Sequence, residues 1–257
     1  MNEFPPIPPT VLEALKYRGT TYRYVNFNTT AWQSMVDRLG LDGLNLKFLG
    51  GKINRQEMVD LVTRSLDGDG LRVPANPTYG VAAAFVLTMV WGHGPSNYGP
   101  YRTSNILCVE DDSAYAPSIG VLQNLARSID LARVDHAAEG SFSYLNYGPG
   151  KCKNLGPAFF TEWLYAVSSK GDVSAEAALP ILDEVTQQYV NTVAGDNFIK
   201  WGYKAGYVKY VDLLNEWSEA MEGSTVVDVE EAIFDVAQGH WQPAQAPERA
   251  IDKVLQR

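Results

Sequence analysis

From Val81 to Trp91 the chain runs eleven residues with no polar group on its side chains beyond the Thr88 hydroxyl and the Trp91 indole. A helix built from such residues has no face suited to water, so other elements have to enclose it on all sides. The run is well short of the roughly 18 apolar residues that span a bilayer. It therefore predicts a central buried helix in a globular protein, with no membrane as partner. The chain has 257 residues, enough for one large core or two closely packed lobes around that helix.

The flanking patterns are mostly helical. Pro5-Pro6-Ile7-Pro8-Pro9 reads as a stiff extended lead, and Thr10 as the cap of a short helix from Val11 to about Arg18. Thr20 to Asn28, rich in Thr, Tyr and Val, is the strand candidate. A helix follows Thr29 or Thr30, carries Trp32, Met35, Val36 and Leu39 on one face, and stops at Gly40. Asn54 with Glu57 three residues later has capping-box spacing ahead of Met58, Leu61, Val62 and Leu66. Gly68, Gly70, Pro74 and Pro77 make a turn-rich connection where the chain passes between lobes. Gly92 to Arg102, dense in Gly, Pro, Asn and aromatics, reads as a loop. Ser118 starts a helix bearing Val121, Leu122, Leu125, Ile129 and Leu131. Further helical patterns cover Pro157 to Val167, Asp183 to Val193, Asn197 to Met221, and Val229 to Val236. With no internal repeat, the chain reads as mainly α with a small β element near its start.

The formal charge of −9 argues against a nucleic-acid partner, because phosphate binding draws on clustered Lys and Arg. The distribution weakens that objection. Residues 211–257 hold ten Asp or Glu against three Lys or Arg, which leaves the first 210 residues at only −2. Exposed charges are screened beyond about 8 Å at physiological salt, so a remote acidic tail does not by itself keep DNA from a local basic face. Cys108 and Cys152 lack the spacing of a zinc site or a disulfide framework, and His93, His136 and His240 are scattered. No metal and no cofactor is expected. The start Met1-Asn2-Glu3-Phe4 has no basic segment leading into an apolar one, which makes a cytoplasmic location the expectation.

The informative stretch is Asn154-Leu155-Gly156-Pro157-Ala158-Phe159-Phe160-Thr161-Glu162-Trp163-Leu164-Tyr165. Gly156-Pro157 is a turn into a helix, since proline suits a first helical position whose amide has no acceptor. The free amides and the helix dipole favour an anion, with Lys151 and Lys153 just ahead of them, as a DNA phosphate requires. A helix that merely begins at Gly-Pro satisfies the same residues.

Leu155 to Thr161 followed by Trp163-Leu164-Tyr165 resembles the hairpin and following helix of bacterial proteins with the 8-oxoguanine DNA glycosylase fold, within the helix-hairpin-helix DNA glycosylases. Leu179-Pro180-Ile181-Leu182-Asp183 is similar to the loop that presents that superfamily's catalytic aspartate. Trp91-Gly92-His93-Gly94-Pro95, continuing through Tyr98-Gly99-Pro100-Tyr101-Arg102-Thr103, is similar as well. The resemblance covers about residues 80–190 and implies two helical lobes and removal of a base from DNA. It divides the chain into an N-terminal α/β part (residues 1–78), a helix-hairpin-helix glycosylase core (79–210) and an acidic helical segment packed on that core (211–257).

One departure bears on the chemistry. Where the family places its lysine nucleophile, after the Phe-Thr or Gly-Thr pair, this chain has Glu162. A carboxylate cannot form the imine that precedes strand nicking. Base release without lyase chemistry is the expectation, with Asp183 stabilising the oxocarbenium-like transition state and Glu162 assisting by activating water. Asp183 also reads as an ordinary helix N-cap, and Glu162 as a solvated first-turn residue.

An extruded base needs a wedge and a pocket. Asn97, Tyr98 and Arg102 are the wedge candidates, against a plain Gly-Pro surface loop. Lys151, Lys153, Asn154 and Gly156 are the backbone-binding candidates, and Trp91, Phe159, Phe160 and Trp201 the pocket walls. Lys200, Lys204 and Lys209, interleaved with Trp201, Tyr203, Tyr207 and Tyr210, suggest a second backbone-binding strip or a solvated helix face. The expected protein is a monomer acting on DNA, on a damaged base or on the modified bases of phage DNA in antiviral defence. A silent DNA-binding scaffold and a helical protein-interaction module are the competing readings.

Overall fold

The computed structural model describes residues 4–18, 23–67, 77–108, 116–134 and 136–241. Among them are eleven α-helices: α1 (Pro9–Leu15), α2 (Thr29–Arg38), α3 (Arg55–Asp67), α4 (Pro77–His93), α5 (Gly99–Leu107), α6 (Ile119–Ala132), α7 (Ala137–Asn146), α8 (Pro157–Ser168), α9 (Glu184–Ala194), α10 (Lys204–Ser218) and α11 (Val226–Ala237). Two short strands, β1 (Val25–Asn26) and β2 (Lys52–Ile53), pair antiparallel with Val25 opposite Ile53. The mainly α architecture with a small β element near the start is as the sequence predicts.

The apolar run is α4, and its side chains from Val81 to Val90 are buried without exception. It packs on α3, α5, α6 and α8. Phe85 meets the indole of Trp163 from α8 edge-on, ring centroids 5.6 Å apart. Gly80 lets α4 approach α3, since a β-carbon there would fall 2.4 Å from the Ser65 carbonyl oxygen. Buried residues from Val11 to Ile233 form one continuous cluster around this centre.

Local signals fix several helix starts. Asn54 and Glu57 close a capping box at α3, with Glu57 N–H donating to Asn54 Oδ1 at 2.8 Å and Asn54 N–H to Glu57 Oε2 at 3.1 Å. Asn28 caps α2 through its side chain. Other starts differ from the sequence reading. Pro9 occupies the first turn of α1 and places Thr10 inside the helix, against the Tyr189 hydroxyl. The strand is only Val25–Asn26 among the described residues; residues 20–22 lie outside them, as do Gly68, Gly70, Pro74 and the tail beyond Trp241. The stretch expected as one loop from Gly92 to Arg102 is a short turn, because α4 runs on to His93 and α5 begins at Gly99 with Pro100 in its first turn. α10 begins at Lys204 rather than Asn197, whose φ of 61° is not helical. α7 was not expected at all.

Phe85→Ala should cost about 3–5 kcal/mol, because it removes an aromatic ring from a site whose neighbours are themselves enclosed. A urea-unfolding midpoint that falls with unchanged slope measures it.

Candidate active site

α8 starts behind Gly156 and carries Thr161, Glu162 and Trp163 as consecutive buried residues. Glu162 is 9 % exposed, and its Oε2 has no hydrogen-bond partner. That oxygen lies against the backbone of Gly92 in the last turn of α4, where a β-carbon would sit 1.9 Å from it. A larger residue at position 92 would displace the carboxyl group from this place. An ionised carboxylate held there without a donor would cost several kcal/mol. Burial, then the charges of Asp183 and Glu230, raise the Glu162 pKa well above the usual carboxylate range, which favours the protonated form.

Asp183 is placed differently. It is the N-cap of α9 in a capping box: Thr186 N–H donates to its Oδ1 at 2.7 Å, the Thr186 hydroxyl to the same oxygen at 2.9 Å, and Asp183 N–H to Thr186 Oγ1 at 3.0 Å. Both side-chain contacts fall on Oδ1, which leaves Oδ2 without a hydrogen-bond partner among the described residues.

Glu162 and Asp183 share a cavity of about 290 Å³, near the lower end of the roughly 300–1,000 Å³ typical of small-ligand sites. Trp91, Gly92, His93, Gly94 and Pro95 from the end of α4 form one wall, Arg55 lies at the start of α3, and Glu230, Glu231, Phe234 and Asp235 come from α11. Arg55 is buried, donates from Nη2 to Glu230 at 2.5 Å, stands 3.7 Å from Glu231, and lies 4.1 Å over the Tyr165 ring. Burial lifts the Glu230 pKa to about 7 despite this partner. Arg23 is held by Asp235 at 3.0 Å. Burial and the Arg102 charge lower the His93 pKa to about 4, so the imidazole is neutral. Among the described residues no lysine lines the cavity.

The hairpin joins α7 to α8 beside this cavity. Gly148 N–H bonds Ser143 O at 2.9 Å and Gly150 N–H bonds Tyr144 O at 3.2 Å, and the chain then turns through Asn154 at φ 68° into Gly156 and the first turn of α8. Lys151, Lys153 and Asn154 are exposed there. Asn154 reaches the Asn105 carbonyl of α5 at 3.5 Å, and Phe159 stacks on His93 with centroids 4.3 Å apart. These contacts bring the hairpin, α5 and the end of α4 together. Asn97 is exposed and bonded to Asn28 at 3.2 Å, Tyr98 is exposed, and Arg102 lies over both Tyr98 and Phe159. The turn that carries Asn97 continues directly from the cavity wall at Pro95.

Of the expected pocket walls, Trp91 lines the cavity with the two acids, while Phe159 lies behind His93. Phe160 is fully buried against Phe142 and does not line it. Trp201 is partly exposed in a turn tied to the end of α7, where Asn146 donates to the Gly202 carbonyl at 2.7 Å. The second strip does not form as one face. Tyr207 and Tyr210 are wholly buried, Lys204 pairs with Glu139, and Lys209 lies over Phe198. Arg55, Glu230, Glu231, Phe234 and His93 are the lining residues that sequence reading missed. A buried pair 175 residues apart leaves no local pattern, though Asp and Glu at helical spacing with valine and isoleucine in α11 is a weak sign of inward-facing acids.

Among the described residues no helix is long and apolar enough to cross a membrane, and no three His, Cys, Asp or Glu side chains gather as metal ligands do. No curated protein and no solved structure matches the chain. A family model described as "Putative 8-oxoguanine DNA glycosylase OGG-like protein" matches residues 20–234, a span that holds the hairpin, both acids and the α11 wall as far as Phe234. The chain therefore belongs to this 8-oxoguanine DNA glycosylase-like family.

Proposed function

We propose that this protein is a monofunctional DNA glycosylase, hydrolysing the bond between deoxyribose and a damaged or modified base. The observation that carries this reading is the pair of unlike carboxyl groups in one cavity beside the hairpin, a buried Glu162 whose pKa is raised and an Asp183 held in a capping box. Two carboxyl groups in unlike surroundings can divide the work of acid and base. Membership of the 8-oxoguanine DNA glycosylase-like family supports this reading, and a lining without lysine among the described residues supports hydrolysis without an imine.

In the proposed reaction the hairpin amides and Lys151 grip a backbone phosphate, the turn bearing Asn97 and Tyr98 fills the gap, and the extruded base enters the cavity against Trp91. The C1′–N bond breaks, and its electron pair stays on the base. Glu162 gives its proton to the departing base, while Asp183 stabilises the positive sugar and takes the proton of the water that bonds C1′. Proton return from Asp183 to Glu162 through solvent restores the enzyme. The sequence-level role for Glu162, activating water, needs its ionised form; the raised pKa favours the role of proton donor.

The modified bases of phage DNA belong in the substrate panel alongside oxidised and alkylated bases, as an antiviral role requires. Purified protein should leave alkali-labile abasic sites in at least one such DNA, and Asp183→Asn should lower the rate at least about 100-fold. Borohydride should trap no protein–DNA adduct. A covalent adduct would contradict the imine-free route, and a panel with no released base would remove the glycosylase reading.

Glu162→Gln keeps the shape and the neutral charge but loses the transferable proton, so the rate on a neutral base should drop by roughly 10²–10⁴. Because the pKa of Glu162 is raised, its acid form is lost as pH rises through that value. The wild-type rate should fall on the alkaline side, and the variant should lack that limb. By the same linkage, the stability tied to the protonated group is full below its unfolded pKa and is lost through the raised folded one, so Gln should flatten the alkaline decline of the unfolding midpoint.

Lys151→Ala should weaken binding about equally across DNA sequences and reduce the slope of log affinity against log salt by about 1, as filter binding over a salt series reads directly.

A further inference from the structure

The segment that delivers Asp183 to the cavity is extended, buried and outside any helix, so its backbone groups need side-chain partners. Four hydroxyls supply them at four successive residues. Ser168 Oγ accepts from Leu179 N–H at 2.9 Å, the Tyr207 hydroxyl donates to Pro180 O at 2.8 Å, the Tyr210 hydroxyl to Ile181 O at 3.0 Å, and Thr161 Oγ1 accepts from Leu182 N–H at 3.1 Å. All four side chains are at most 2 % exposed. Burial raises the pKa of both tyrosines, which remain hydrogen-bond donors.

Thr161 and Leu182 each stand one residue before an acid. Their contact thus joins the two chains at the point where Glu162 and Asp183 branch off. The Thr161 hydroxyl proton is directed to carbonyls of its own first turn, Pro157 at 2.9 Å and Ala158 at 3.0 Å, which frees the oxygen to accept from Leu182. Tyr210 also neighbours Thr186, the residue that holds Asp183 Oδ1.

Resting on the glycosylase reading above, we infer that Thr161 and Tyr210 are positioning residues, which hold Asp183 in register with Glu162 across the cavity. Thr161→Val removes the acceptor with little change of shape, and Tyr210→Phe removes a single oxygen. Each should lower kcat by about 10- to 100-fold while KM stays within about threefold, since misplacement near 1 Å costs this much when binding contacts are untouched. Thr161→Ser should restore most of the rate. Ser168→Ala and Tyr207→Phe act farther from Asp183 and should lose far less kcat, even where they lower the unfolding midpoint as much.

The experiment is single-turnover base release by the full chain for these five variants, with unfolding midpoints measured in parallel. A kcat loss graded by proximity to Asp183 and rescued by serine supports the inference. Wild-type kcat in Thr161→Val and Tyr210→Phe overturns it, as does a loss that follows only the fall in stability across all four sites. Asp183→Asn retaining full activity would instead remove the functional reading beneath it, so the two failures are distinguishable.

Discussion

The carboxyl group of Glu162 sits against a glycine backbone with one oxygen unpartnered, and the arrangement of the cavity follows from that contact. An unpaired buried oxygen of an anion is a far larger cost than that of a neutral acid. Burial thus favours the protonated acid, and the glycine at position 92 leaves the space its carboxyl group occupies. Asp183 meets a different condition at the α9 N-terminus, where the Thr186 amide and hydroxyl both donate to one of its oxygens. Two residues of the same chemical class are thus placed in unlike surroundings, burial for one and a helix cap for the other.

The acidity of the chain takes a different meaning once α11 is in place. Asp228 and Glu230 are buried and pair with Arg18 and Arg55, and Asp235 holds Arg23. Part of the negative charge that argued against DNA is therefore interior and neutralised by arginines. It does not act as a uniform surface field against the face that carries Lys151 and Lys153. The remaining acids at the cavity sit where a base, not a phosphate, would enter.

What the sequence made legible was local. The apolar run required a central helix, Asn54 with Glu57 announced a cap, Gly156-Pro157 marked the start of α8, and Asp183 ahead of Glu184 marked α9. The first helix of the hairpin escaped notice, because Ala137-Ala138-Glu139-Gly140-Ser141 has small residues and a glycine in place of an apolar period. Tyr207 and Tyr210 looked like part of a basic aromatic surface, since interleaved lysines suggest solvent; the structure turns their side by the core to satisfy the segment before Asp183. The α11 wall depends on contacts across most of the chain, which no window of sequence contains. Glu162 was visible as a departure from the family's lysine, but its contact with the Gly92 backbone, seventy residues earlier, was not.

The charge asymmetry between the two acids can be measured without knowing the substrate. Carbon-detected NMR titration of glutamate-labelled protein, with Glu162 assigned through Glu162→Gln, reports the proton on that side chain directly. The account predicts that Glu162 remains protonated at neutral pH and that Asp183→Asn lowers its pKa, because one of the charges raising it has gone. A Glu162 that titrates in the ordinary carboxylate range and ignores position 183 would contradict the account at its base.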